Sequence, residues 1–218
     1  MTNKKIKIKG ILFDLDGTLV DSKPAYIEAA KITFSKLGLS PISDSEAIAI
    51  PRKIEQKQPL NLNIETKPST FLALYLRSYY SISEQKTKLI SNVSKTLNTL
   101  SKKMSLSLVT MRFVPKQSLI NELKKFNIAE YFDPIVTAID TCKPKPSPEA
   151  LLKCVNSMNL AVEDCIIVGD SVNDIKAGRA ANMKTVSVLS GIYSLQELVK
   201  EKPDFIIPNI SFLPDFIE

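Results

Sequence analysis

The stretch that decides the reading is IKIKGILFDLDGTLV, residues 6–20. From Ile6 to Phe13 an apolar, β-branched run stops abruptly at Asp14-Leu15-Asp16-Gly17-Thr18. A run of this kind reads as a buried strand that empties into a polar loop. Similar strands are predicted at Leu106–Thr110, Pro134–Ala138, Cys165–Val168, Thr185–Leu189 and Phe205–Ile207. Between them lie helical patterns: Pro115–Phe126, opened by a proline suited to a first turn, then Pro148–Met158 and Asp174–Ala181. Strands alternating with helices predict an α/β fold, a doubly wound parallel sheet covered on both faces.

Residues 22–85 break the alternation, because no buried strand is legible there. Pro24–Leu37 reads as a helix stopped at Gly38, Ser69 as the cap of a helix over Thr70–Tyr80, and Ser83 as the cap of another running toward Leu100. The proline-rich, polar text between Pro41 and Pro68 carries no assignment. The expected organisation is an α/β core of residues 1–21 and 86–218 with a small helical insertion, residues 22–85.

Composition narrows the chemistry. The chain has 218 residues, 44% of them hydrophobic and 24% charged, an ordinary balance for a folded globular protein. The net charge of +6 comes from lysines spread along the chain, concentrated only at Lys4, Lys5, Lys7 and Lys9. This pattern fits a solvated surface and small anionic substrates, and argues against a nucleic-acid or membrane partner. Asp14 and Asp16 interrupt the apolar run that would otherwise pass for a secretion signal, so a cytoplasmic protein is expected. The three cysteines, Cys142, Cys154 and Cys165, match no zinc spacing and read as reduced thiols. The chain contains no histidine. Nucleophiles activated by histidine and histidine-ligated metals are thereby excluded.

Acidic residues gather at predicted strand ends. Asp14 and Asp16 follow the first strand, where an open parallel sheet binds ligands. Gly169-Asp170-Ser171-Val172-Asn173-Asp174 follows the strand Cys165–Val168 and opens a helix. Four carboxylates at one sheet edge would repel unless a cation were bound, and hard oxygen ligands suit magnesium. Thr110 ends another strand, and Lys143 begins Lys-Pro-Lys-Pro-Ser-Pro. They add a hydroxyl donor and a cation for phosphoryl oxygens.

In order, Asp14-Leu15-Asp16-Gly17-Thr18, Thr110, Lys143 before Pro-x-Pro, and Gly169-Asp170-Ser171-x-x-Asp174 resemble the four motifs of the haloacid dehalogenase superfamily. The insertion after the first motif resembles the helical cap of its phosphoglycolate phosphatase and β-phosphoglucomutase branch. The resemblance implies a Mg2+-dependent phosphatase acting on a small phosphorylated metabolite, as monomer or homodimer. In it Asp14 is the nucleophile and forms an aspartyl-phosphate, while Asp16 is the general acid and then the base. Thr110 and Lys143, with Leu15 and Met111, bind the phosphoryl group. Asp14, Asp16 through its backbone carbonyl, Asp170 and Asp174 hold the metal, and Ser171 orients the acidic loop. Carbon–halogen cleavage is disfavoured, since members with that activity lack the second aspartate.

Within this pattern Lys145 competes with Lys143, and the family's placement of its lysine directly before Pro-x-Pro favours Lys143. Arg52, Lys53 and Arg112 are candidate contacts for an anionic substrate, with plain surface charge as the alternative. The same motifs admit a phosphomutase, or a non-catalytic binding module that kept the fold.

Overall fold

A computed structural model of the chain describes residues 5–60 and 67–218. Lys4 and residues 61–66 lie outside them. The chain divides into two compact units, Met1–Val20 with Leu89–Glu218, and Asp21–Lys88.

In chain order the elements are β1 (Gly10–Phe13), β2 (Val20–Asp21), α1 (Lys23–Lys36), α2 (Asp44–Glu55), α3 (Pro68–Lys86), β3 (Lys88–Leu89), α4 (Val93–Leu100) and β4 (Ser105–Val109). There follow α5 (Lys116–Lys125), β5 (Ile135–Val136), α6 (Glu149–Ser157), β6 (Cys165–Gly169), α7 (Val172–Ala180), β7 (Lys184–Val188), α8 (Leu195–Lys200) and β8 (Phe205–Ile207). Six strands of the first unit form one parallel sheet in the order β5-β4-β1-β6-β7-β8. β1 lies at its middle, where the order of connection reverses, the place at which such sheets open a crevice for ligands.

Alternation along the strands builds two apolar cores on the two faces of this sheet. Ile11, Phe13, Leu106, Leu108, Ile166 and Val168 pack with Val93, Leu97, Leu119 and Leu123 of α4 and α5. Leu12, Val109, Cys165 and Ile167 pack with Leu151, Cys154, Val155 and Ala177 of α6 and α7. The doubly wound α/β class is as expected. Burial pushes the Cys154 and Cys165 thiols up to about 11, which keeps them neutral packing groups.

The second unit has its own core. Ala25, Ala29 and Ala30 of α1 are small enough to let the helix approach the aromatic face of α3, formed by Phe71, Tyr75 and Tyr79. Phe71 meets Phe34 edge-on, at 6.0 Å and 87°. Gly38 ends α1 at φ +66, with Leu39 N–H donating to Phe34 O, as a helix-stopping glycine should.

Two helical expectations are corrected. Ser83 caps nothing: α3 runs through it to Lys86, and Thr87 Oγ1 donates to its carbonyl. The helix toward Leu100 instead begins at Val93, after the short strand β3 and a left-handed Asn92 at φ +66. Ser69 likewise lies inside α3, which starts at Pro68 after Lys67. The unassigned text after Pro41 contains α2. A reciprocal capping box between Ser43 and Glu46 starts it, and Pro51 sits buried within it.

Candidate active site

Strand pairing brings the loops together. Phe13 is level with Leu108 on one side and Val168 on the other, so the residues that follow emerge side by side. Asp14 is further fixed by its N–H, which donates to Val168 O at 2.9 Å. Asp14, Asp170 and Asp174 converge, each offering a carboxylate oxygen within 4.8 Å of the others, and all three are buried. The fourth predicted carboxylate, Asp16, turns elsewhere.

Lys145, not Lys143, enters this cluster. Lys145 is only 3% exposed. It donates to Asp14 Oδ1 and Asp174 Oδ1, each at 2.6 Å, and to Val109 O at 3.0 Å. Three donors meeting three acceptors satisfy a buried ammonium completely. Lys143 is exposed, because Glu149 at the start of α6 accepts the backbone N–H groups of Cys142 and Lys143 and so sets the path of the segment. The placement expected for Lys143 is therefore corrected. Both lysines stand directly before a Pro-x-Pro, since Lys143-Pro144-Lys145-Pro146 overlaps Lys145-Pro146-Ser147-Pro148. The legible signal that separates them is nearness to the helix start at Glu149.

Charge in the cluster is strongly perturbed. Burial pushes the Asp14 carboxyl up to about 8, against the pull of Lys145, and the neighbouring Asp174 and Asp16 charges add to the rise. For Lys145 burial opposes the charge, but the attraction of Asp14 and Asp174 and their hydrogen bonds outweigh it and hold the lysine above its ordinary range. Three buried carboxylates facing one ammonium leave negative charge uncompensated. An all-oxygen set of this kind fits a hard divalent cation.

Asp174 is placed by its own helix. Ser171 caps α7, accepting the Asp174 N–H, while Asp174 Oδ2 accepts the Ser171 N–H at 3.1 Å and its hydroxyl at 2.7 Å. Ser171 thus fixes the Asp174 carboxylate at the start of α7. Asp170 lies beneath the loop after β7: the Ile192 N–H donates to its Oδ2 at 3.3 Å, and the Ser190 hydroxyl donates to Gly17 O at 2.7 Å. A side chain at Gly191 would meet Asp170 Oδ2 at 1.6 Å. Sequence reasoning missed this loop, which carries no carboxylate, lysine or arginine.

Thr110 follows β4 and is buried, its hydroxyl oxygen accepting the Arg112 N–H at 3.2 Å. Arg112 was expected to face substrate or solvent. Instead it is buried, and its guanidinium grips Asp16 with two bonds of 2.7 Å and Glu122 with one of 2.6 Å. The Leu15 side chain packs in the core, and Met111 is half-buried. Arg52 and Lys53 lie half-buried in the last turn of α2, in the second unit. Two buried polar atoms near the loops after β1 and β6, Thr18 Oγ1 and Asn173 Nδ2, have no hydrogen-bond partner among the described residues.

Comparison with known proteins follows the same outline. The family described as haloacid dehalogenase-like hydrolase matches residues 11–188. The phosphoglycolate phosphatase of Escherichia coli (strain K12) is 31% identical over 237 residues, covering 97% of this chain and 93% of that protein. That of Salmonella typhi is 30% identical with the same coverage. In fold, the chain is similar to a haloacid dehalogenase-like hydrolase from Streptococcus pneumoniae, with a TM-score of 0.81 at 22% identity over 95% of this chain and 97% of the other.

Proposed function

This chain belongs to the haloacid dehalogenase-like hydrolase family, and on that premise we propose that it is a Mg2+-dependent phosphatase of small phosphate monoesters working through an aspartyl-phosphate on Asp14. The observation that carries the reading is the buried triangle of Asp14, Asp170 and Asp174 closed by Lys145. The names of the relatives point to a substrate of the phosphoglycolate kind, and a sugar phosphate has the same reacting group. Cytoplasmic location rests on the sequence argument. Among the described residues no helix is long and apolar enough to cross a membrane.

In this reading Asp14, Asp170, Asp174 and the Asp16 carbonyl would hold the cation, which supplies charge neutralisation for an anionic substrate. Lys145 engages Oδ1 of Asp14 and leaves Oδ2, which has no protein hydrogen bond among the described residues, as the attacking atom. Thr110, with Leu15 and Met111 beside it in the two loops, lines the phosphoryl position. Asp16 gives a proton to the departing oxygen and later takes one from the attacking water. Residues 22–85 would serve as a cap, with Arg52 and Lys53 as its candidate substrate contacts.

The test is hydrolysis of para-nitrophenyl phosphate with magnesium, with excess chelator, and by Asp14→Asn. Turnover should vanish in chelator, return with magnesium and be absent in the variant. A phosphoryl adduct on the wild-type protein, seen by intact mass after rapid acid quench, should also be missing from the variant. Full activity in chelator would overturn the metal's part, and an adduct on Asp14→Asn would overturn the nucleophile.

A further inference from the structure

Arg112 is a buried arginine whose guanidinium meets two carboxylates. Its Nε donates to Asp16 Oδ2 and its Nη2 to Asp16 Oδ1, both at 2.7 Å, while Nη1 donates to Glu122 Oε2 at 2.6 Å. Three elements of the sheet unit meet here: the loop after β1, the loop after β4, and α5, which carries Glu122. The turn that places the Thr110 hydroxyl also places Arg112, through the Arg112 N–H.

We propose that Arg112, braced by Glu122, is a positioning residue for Asp16, fixing the plane and reach of the carboxyl that moves protons during turnover; this rests on the reading of Asp16 given above. An aspartate beside a reaction centre has two side-chain torsions to settle, and one hydrogen bond leaves its plane free to swing. Two parallel N–H bonds from a rigid guanidinium fix it, which a lysine ammonium cannot do. Glu122 holds the far edge of the guanidinium, so the fork is fixed from both sides.

Both chemical steps use that carboxyl. In the first, an Asp14 oxygen bonds to phosphorus, the phosphorus–ester oxygen bond breaks, and the departing oxygen takes the proton of Asp16 to leave as an alcohol. In the second, water bonds to phosphorus and gives a proton to Asp16, the bond from phosphorus to Asp14 breaks, and inorganic phosphate leaves. A carboxyl held askew harms the first step in proportion to the need of the leaving group for a proton. Nitrophenolate leaves readily without one, and an alkoxide does not.

The experiment is kcat/KM for para-nitrophenyl phosphate and for an alkyl phosphate, in the magnesium-loaded protein and its variants. Arg112→Lys keeps charge and loses the fork. An Arg112→Met, Glu122→Met double variant removes the fork and its brace together, so that Glu122 is not left as an unpaired buried charge. The expected loss is under about 10-fold for the nitrophenyl ester and about 10²-fold or more for the alkyl ester, the range over which positioned proton transfer acts. Arg112→Lys added to Asp16→Asn should cost nothing further, as for residues that act as one unit. Equal loss on both esters in variants that melt like the wild type, or independent losses in the combined variant, would overturn the proposal. If Asp16→Asn is selective between the esters and Arg112→Lys is not, Arg112 alone is misassigned. A wild-type protein that hydrolyses neither ester overturns the phosphatase reading and this proposal with it.

Discussion

Lys145 Nζ lies 2.6 Å from Asp14 Oδ1, across 131 residues of chain and out of contact with solvent. That one contact joins the loop after β1 to the segment before α6. It predicts which of two adjacent lysines matters. Lys145→Ala would strip a positioned cation from Asp14 and Asp174, and should lower kcat/KM for an aryl phosphate by about 10²–10³-fold. Lys143→Ala should stay within about 3-fold of wild type, as expected of an exposed side chain outside the charge cluster. Steady-state kinetics of the two variants side by side decides it. The reverse order would mean that the lysines exchange places during turnover.

The same cluster predicts an unusual dependence of stability on pH. With its carboxyl raised to about 8, folded Asp14 keeps a proton where the unfolded chain has lost it. The folded state then binds more protons, so this contribution to stability is present at low pH and is lost as pH rises from about 4 to about 8. Lys145 does not offset this, because a raised lysine loses its contribution only above the ordinary lysine range. No histidine titrates in that window. In chelator the melting temperature should fall between about pH 5 and pH 8, and magnesium, binding the deprotonated site, should flatten the decline. A flat profile in chelator would show Asp14 already ionised at the lower end.

The helical unit offers a separate measure of packing. Phe71 is fully buried, edge-on to Phe34 and stacked on Tyr75 at 6.3 Å. Phe71→Ala should cost about 3–5 kcal/mol of local stability. Hydrogen exchange should report it as lost protection in α1, α2 and α3. Unchanged protection there would mean that the aromatic cluster relaxes into the cavity.

What could be read in advance, and what could not, has physical causes. The strands β1, β4, β6 and β7 were legible because central parallel strands, covered on both faces, leave continuous apolar runs. β5, only Ile135–Val136, was overextended, since its flanking residues are apolar for other reasons. α2 was hidden by Pro51, which marks a break in sequence yet sits tolerably in a helix whose start is secured by Ser43 and Glu46. The break between α3 and α4 was expected but set too early, at Ser83, because a serine inside a helix carries the same local pattern as a cap; the break itself lies between Lys86 and Val93. In the site, Asp14, Asp170, Asp174 and Ser171 were legible from local patterns at strand ends and helix starts. The choice of Lys145 was not, because both lysines satisfy the same local pattern and only the path toward α6 separates them. Nor was the grip of Arg112 on Asp16, a contact between residues 96 apart that no local spacing encodes.

The loop after β7 yields the last prediction. Asp170 is hemmed in by two glycines: a Cβ at Gly17 would come within 2.5 Å of its Oδ2, and one at Gly191 within 1.6 Å. Gly17 also needs its left-handed backbone, φ +81, whereas Gly191 is constrained by space alone. Gly191→Ala therefore tests the crowding by itself. The added methyl must displace either Asp170 or the loop that donates the Ile192 N–H to it, and both routes loosen a carboxylate proposed to hold the cation. Outer contacts of this kind typically govern about 10–100-fold in metal affinity. Calorimetric titration of Gly191→Ala with Mg2+ should show weakening on that scale, and its phosphatase activity should recover as magnesium is raised. Gly38→Asn serves as the control, since nothing lies within 4 Å of a Cβ there and asparagine tolerates its positive φ. Wild-type affinity in a folded Gly191→Ala would remove Asp170 from the metal's ligands and leave the loop over it a matter of packing.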